Sequence, residues 1–391
     1  AGLYDVVMDA PFVKPADRQL FRAQMAYLAY LMADPMCWSM EHGFCSGNPN
    51  MSVSYTLSLG IIACDLRDHP MAATWAARAT AWMNQWLDDE VGSNGEWLPE
   101  GSHYSIVSLE PMISYAIAAK RAGFHDYSDD IRLKKMITYF AKTHGPRDPQ
   151  RGNQRVAAAH GRGTAGEKLA QFGLAARFYA ETDPTLSAEM QWMWKEMGAT
   201  DRIGDNRLGG LQQYYLDARL PEAQPMWATD LFPGLGIIFR HAFGLPNESY
   251  LLLLSHVNDH RNLDVWAPEV GGIAEWYAMG KPISRFFTFD HSYRQHHMLF
   301  TNGVRLTHPW ANDGTTKGPF GYYRDTQPER VTTFPLMDYV RTSFKTTTVD
   351  DRDWFPAGAP AFPKEAPNTA STLNWTRQVL YLRDAESDGP T

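Results

Sequence analysis

Apolar residues recur at helical spacing through the first half of the chain. In 15–33, PADRQLFRAQMAYLAYLMA, Leu20, Met25, Leu28 and Leu31 fall near a period of 3.6, with Pro at the entry. The same reading extends over 53–66 (VSYTLSLGIIACDL) and over 70–90, where Pro70 takes a first helical position. It predicts a helix over 105–123, closed by Gly123, and another over 128–145, with Ser128 as cap and Gly145 at the end. Thr164 and Glu167 have capping-box spacing at the head of 164–181, and Asp183-Pro184 opens 183–198, which closes at Gly198. Two further helices are predicted near 224–243 and 246–256. Near residue 260 the pattern changes to short runs rich in Phe, Thr, Val and Tyr: FFTFD, HMLFTNGVRLTH, RVTTFPLMDYVRTSFKTTTV and RQVLYLRD. Asn302-Gly303 between two such runs is a strong hairpin signal.

Helices first and strands later predict an α+β protein. Residues 1–258 read as a helical domain of stacked hairpins, for which a toroid is one closed form, and 259–391 as an antiparallel β domain. The strand part stops soon after RQVLYLRD, which reads as an incomplete sheet.

Composition narrows the partners. Of 391 residues, 44% are hydrophobic and 13% aromatic, enough for a sizeable core and for surfaces that stack on sugar rings. A net charge of −8 argues against nucleic acid or an anionic membrane as the main partner, while a basic cleft inside an acidic protein still admits an anionic substrate. No apolar run is long enough to span a bilayer. No signal peptide is visible from Ala1, as in a mature secreted chain. Cys37, Cys45 and Cys64 form no CxxC pair, and Cys37 and Cys45 are spaced to close a short loop as a disulfide, an option left open.

Four stretches carry candidate chemistry, each with a plainer reading beside it. In WLPEGSHYS (97–105), His103 and Tyr104 sit at a helix mouth, where a Tyr also serves as ordinary packing. In CSGNPNMS (45–52), Asn48 and Asn50 flank a Pro, and Asn is routine at a helix cap. In 258–283, His260, Arg261 and Asp264 crowd a polar loop that suits either a ligand or a surface ion network. In 288–304, Asp290, His291, His296 and His297 have spacing compatible with a divalent metal, but adjacent histidines on a strand face opposite ways.

Taken in order, these stretches resemble the heparinase II/III-like polysaccharide lyases, which include related alginate and glucuronan lyases. The resemblance rests on Asn50, then 95-GEWLPEGSHY-104, then 260-HRNLD-264 with 271-GGIAEWYAMGKP-282, then His296-His297 before Asn302-Gly303. It touches about residues 40–310. It implies an (α/α) toroid, here lacking N-terminal hairpins, followed by an antiparallel β-sandwich. It also implies β-elimination at a uronic acid, with Asn50 against the carboxylate and Tyr104 and His260 moving protons. Glu100, Asn48, His103 and Arg261 become candidate substrate contacts. No cofactor is required for such chemistry, and a structural zinc or calcium ion in the β domain would fall to Asp290 and His297.

The chain departs from relatives in two places. Asn50 is followed by Met51 where some carry His, and Asn262 stands where some carry a metal-binding His. The expected partner is an anionic polysaccharide, with a homodimer open and a secreted or periplasmic location. A toroid-fold glycoside hydrolase would need a pair of carboxylates, for which Asp88, Asp89, Glu100 and Glu110 offer no distinct match. A glycan-binding protein without catalysis is the third reading.

Overall fold

The computed structural model describes residues 8, 10–43, 47–99, 102–155, 157, 170–198, 215–233, 235–254, 273–285, 328–347 and 372–383. Seven α-helices among them are α1 (Pro15–Ala33), α2 (Pro49–Asp65), α3 (Ala72–Asp89), α4 (Ser102–Ala122), α5 (Ile131–Lys142), α6 (Ala170–Tyr179) and α7 (Pro184–Glu196). Their ends follow local chemistry. Pro occupies the first turn of α1, α2 and α7. Asp183 caps α7 by accepting from the Leu186 amide at 3.1 Å. Gly123 and Gly198 take positive φ just past their helices.

Several predicted helix ends move: α2 starts at Pro49 rather than 53, α4 at Ser102 rather than 105, and α3 at Ala72 after the cap Met71, which leaves Pro70 in the preceding turn and not at the first helical position. The cap of α5 is Asp130, whose Oδ1 accepts from the Arg132 and Leu133 amides. Ser128 instead donates its amide to Asp126 in the preceding turn. The same helix ends at Lys142, short of Gly145. Thr164 and Glu167, the expected capping box, lie outside the described residues. Each helix packs on neighbours one or two places along the chain, α1 on α2, α2 on α3 and α4, α3 on α5, and α6 on α4, α5 and α7, as stacked hairpins do.

Sheet begins at Asp230, before the expected change at 259. The helices expected at 224–243 and 246–256 are strands: β1 (Asp230–Phe232), β2 (Gly236–His241) and β3 (Ser249–Leu254). They continue into β4 (Ile273–Ala278) and β5 (Lys281–Arg285) as an antiparallel sheet in sequence order. A second antiparallel sheet holds β6 (Pro328–Thr333), β7 (Met337–Thr347) and β8 (Thr372–Leu382). Ile237, Phe239, Leu251 and Leu253 on one face of the first sheet cluster with Val340 and Tyr381 of the second. The alternate residues Ile238, Tyr250, Leu252 and Leu254 join the helical core. The first sheet is thus the middle of three layers, buried on both faces. GIIFRH and SYLLLL consequently lack the period of two that marks a half-exposed strand, which is why they read as helix.

Asn302-Gly303 lies outside the described residues; a two-residue hairpin turn is seen at Met279-Gly280. Both residues have positive φ, 53° and 72°, and join Ala278 to Lys281 in register, the type I′ geometry of two-residue hairpins. A Cβ at Gly280 would lie 2.0 Å from the Pro246 carbonyl oxygen. The AMGKP part of the family-like stretch is therefore a tight turn. Cys37 is an exposed free cysteine, and Cys45, its expected disulfide partner, lies outside the described residues.

Candidate active site at the paired helix N-termini

Asn48 is the N-cap of α2, its Oδ1 accepting from the Met51 amide at 3.4 Å. Pro49 fills the first helical position, and Asn50 follows, 5% exposed. The plainer reading of Asn48 as a cap holds. Tyr104 is the third residue of α4 and half-buried, its carbonyl accepting from Ser108 Oγ at 3.1 Å. His103 lies in the same turn of helix.

Two contacts fix how α2 and α4 lie. Gly60 of α2 meets the ring of Tyr115 of α4. Phe124, just past the end of α4, packs against the cluster that joins Leu59, Ile62, Ala63 and Leu66 at the end of α2 to Trp75 and Ala76 at the start of α3 and to Met25 and Ala29 of α1, while α4 sets out just after Leu98, whose amide donates to the Glu90 carbonyl at the far end of α3. The C-terminal ends therefore coincide, and the two helices run parallel. Counting back from the crossing, Asn50 is 10 residues before Gly60 and Tyr104 is 11 before Tyr115. At 1.5 Å per residue these are rises of about 15 and about 16.5 Å, so Asn50 and Tyr104 stand at the same end of the pair.

That end is also the polar one. Asn50, Ser52 and Thr56 are buried in the first half of α2, and Ser105 and Ser108 in the first half of α4. The far halves bury Leu59, Ile62 and Ala63, and Ile113, Ala116 and Ala119. Ser52 Oγ is buried with no hydrogen-bond partner among the described residues. Thr56 and Ser108 donate to the Ser52 and Tyr104 carbonyls of their own helices, Val53, Leu57 and Leu109 are buried among them, and both helices present their positive ends there. Ser and Thr at helical spacing, Ser52 and Thr56 in α2 and Ser105 and Ser108 in α4, are the sequence signal for these buried polar positions.

The stretch leading to Tyr104 divides in two. Its first half is structural. Gly95 has φ 97°, and a Cβ there would lie 2.2 Å from the Lys135 carbonyl oxygen of α5. Glu96 is buried and its carboxylate accepts from the Asn94 amide at 3.0 Å. Trp97 belongs to the core and bridges to Val91. Glu100 lies outside the described residues, as do His260, Arg261, Asp290 and His297. The structure thus brings Asn50 and Tyr104 to one end, with Asn48 and His103 beside them in sequence. Among the described residues no group of three or more His, Cys, Asp or Glu is arranged to hold a metal.

A second polar cluster, not anticipated from the sequence, joins the helices to the middle sheet. Glu248 accepts from Arg155 and from Arg240, the latter at 3.0 Å, and all three are buried. Arg240 also donates to the carbonyls of Lys142 and His144. Tyr250 donates to the Thr143 carbonyl, and Tyr277 to Asp148. His144 is fully buried, which lowers its pKa to about 4. Its Nδ1 is 2.7 Å from the Phe140 carbonyl oxygen. The Arg and Glu charges here are matched by partners, as a structural joint requires.

No family model matches this chain, and no curated protein matches it. Solved structures do. The heparan sulfate lyase HepC from Pedobacter heparinus aligns with a TM-score of 0.58 at 13% identity, over 97% of this chain and 50% of that one. A crystal structure of heparinase III aligns with a TM-score of 0.56 at 14% identity, over 88% of this chain and 49% of that one. The chain has a heparinase-like fold. At these identities the likeness concerns the fold alone, and the chain spans about half the length of the structures it matches. Within the heparinase-like fold, the α+β class expected from the sequence holds. No helix among the described residues is long and apolar enough to cross a membrane.

Proposed function

We propose that this chain belongs to a polysaccharide lyase that cleaves an anionic, uronate-containing polymer by β-elimination. The observation that carries the reading is the parallel α2–α4 pair, which sets Asn50 and Tyr104 at one polar end within a fold shared with heparan sulfate lyases. The substrate class that follows is a glycosaminoglycan of the heparan sulfate kind, with alginate and glucuronan as further candidates.

In this mechanism the Asn50 amide donates to the uronate carboxylate and stabilises the charge that develops when C5 loses its proton. Tyr104 or His260 takes the C5 proton, depending on the epimer. The C4–O4 bond breaks, a C4–C5 double bond forms, and Tyr104 returns a proton to O4. Tyrosine ionises near pH 10, so a Tyr104 base needs cationic neighbours, for which His103, His260 and Arg261 are the candidates. Asn48, Glu100, His103 and Arg261 contact substrate. A metal at Asp290 and His297 would brace the loop carrying His260. The helical part forms a portion of an (α/α) toroid, and the enzyme acts outside the cytoplasm, secreted or periplasmic.

The test is incubation with heparan sulfate, alginate, glucuronan, chondroitin, hyaluronan and ulvan. Ultraviolet absorbance from the new double bond identifies the lyase. Reducing ends without that absorbance indicate the hydrolase, and binding with neither signal indicates a glycan-binding protein.

A further inference from the structure

The second sheet carries a row of polar side chains that the proposed chemistry does not use. Arg330 of β6 lies directly opposite Arg341 of β7, and Arg341 lies opposite Gln378 of β8. The next register pairs, Val331–Val340 and Val340–Val379, belong to the cluster packed against the first sheet. Successive side chains on a strand point to opposite faces, so Arg330, Arg341 and Gln378 point away from the first sheet. All three are exposed. The first sheet stands between this face and the helical core.

The charge of the row is one-sided. Like charges directly opposite on one sheet face are destabilising, and here two arginines stand so in a chain of net charge −8. No acid stands in register with either of them. Asp338 of β7 is fully buried on the inner face and pairs with Arg383. Glu329 falls at the register shift between Pro328 and Arg330, and β8 contains no acid.

Gln378 completes the set of donors. The Tyr339 hydroxyl donates to its Oε1 at 2.9 Å. The amide oxygen is thus turned to the tyrosine, and the NH2 group remains to donate beside the two guanidinium groups. Thr332 and Tyr339 pair in the adjacent row, which adds a hydroxyl and a half-buried ring. Across three strands spaced about 5 Å apart, the row can donate to anions strung along an extended chain.

We propose that this face is a second binding surface for an anionic polysaccharide, which holds carboxylate or sulfate groups of the polymer away from the bond being cleaved. The choice of occupant rests on the lyase reading above and on charge complementarity. An anion on the row relieves the repulsion between Arg330 and Arg341. The face and the Asn50–Tyr104 end are separated by whole layers, at about 10 Å for each stacked sheet. A long polymer spans that separation, and the shortest cleavable oligosaccharide does not.

The experiment compares the wild-type chain with Arg330→Gln/Arg341→Gln. Arg67→Gln/Arg219→Gln, which removes two exposed arginines elsewhere, controls for net charge. Binding of heparan sulfate is measured at several salt concentrations, and kcat and KM on the polymer and on the shortest oligosaccharide cleaved. The Arg330/Arg341 variant should bind the polymer about fivefold or more weakly, with a flatter salt dependence. Its KM for the polymer should rise in step, with kcat, the oligosaccharide KM and the melting temperature nearly unchanged. The control should match the wild type. Unchanged polymer binding, an equal loss in the control, or a loss of kcat or of oligosaccharide affinity would each overturn the second surface. Duplex DNA bound as tightly as heparan sulfate would overturn the choice of occupant. Absence of unsaturated product from every polymer overturns the lyase reading alone, because the binding comparison still decides whether the face holds a polysaccharide.

Discussion

A Cβ placed on Gly60 would lie 2.4 Å from Cε2 of Tyr115 and 2.7 Å from the Cβ of Ala79. Three helices meet at this point, α2, α3 and α4. Tyr115 is held from the other side, its hydroxyl donating to the Ala76 carbonyl at 2.9 Å and lying 2.7 Å from Thr80 Oγ1. The ring therefore has nowhere to move. This crossing sets the level of α4 against α2, and hence the placing of Tyr104 beside the Asn50 end.

Gly60→Ala should accordingly destabilise the protein, although Ala is the better helix former by about 1 kcal/mol. Overpacking of this kind costs about 1–3 kcal/mol, and the added methyl meets a ring and a methyl that are both fixed. The net loss should be up to about 2 kcal/mol, read as a lower midpoint in urea at unchanged slope. Gly60→Ala at or above wild-type stability would show that the helices separate easily, and the level of Tyr104 would no longer follow from this contact.

Tyr104→Phe removes one hydroxyl from a half-buried ring. Turnover on the cleaved polymer should fall at least ~100-fold, the worth of positioned acid–base catalysis. KM and the melting temperature should change little, because the ring still packs. Near-full turnover would return Tyr104 to a packing role at the helix mouth.

The helical half was legible because its signals are local. Pro at the first turn of α1 and α7, Asp183 as cap, and Gly123 and Gly198 as terminators depend on residues within one turn of one another. Ser128 is not the cap because Asp126, Asp129 and Asp130 crowd it in sequence and Asp130 reaches two amides at once. Strands β2 and β3 were illegible because burial on both faces erases alternation, and a short apolar run carries no period that separates strand from helix.

The site was legible in part. Family-like stretches pointed to Asn50 and Tyr104, but no local pattern could show that α2 and α4 lie parallel, since that depends on Gly60 meeting a residue 55 positions away (115 − 60). The same stretch also holds a division of labour that its pattern does not show, with Gly95, Glu96 and Trp97 holding a loop ahead of Tyr104. The Arg155–Glu248 pair spans 93 positions, and neither residue stands out in sequence.

His144 predicts a pH dependence of stability. Burial lowers its pKa from 6.5 to about 4. The folded state therefore holds the ring neutral while the unfolded chain protonates it below pH 6.5. The associated stability is complete above pH 6.5 and is lost progressively as pH falls towards about 4, by up to about 3 kcal/mol. Urea midpoints should drop between pH 7 and pH 5, before most carboxylates titrate. His144→Asn should flatten that slope. An equal slope in the variant would assign the effect to other groups.

The last prediction concerns the joint between helices and sheet. Glu248 accepts from both nitrogens of the Arg155 fork, from Arg240 at 3.0 Å and from the Gly244 amide at 2.9 Å. Its carboxylate oxygens are thus committed on every side. Arg155 is shared with Glu196, and its guanidinium also lies 4.5 Å from the Phe243 ring centroid. Glu248→Gln keeps the volume but leaves two buried guanidinium groups facing a neutral amide that can accept through one oxygen only. Breaking a buried pair from one side costs about 3–5 kcal/mol. Arg155→Met, by contrast, removes one of two cations that share Glu248, and Arg240 stays to neutralise it. The loss should be smaller than for Glu248→Gln. Urea unfolding of both variants checks this order, and the reverse order would mean that Arg155 holds the joint chiefly through Glu196 and the Gly145 carbonyl, to which it also donates.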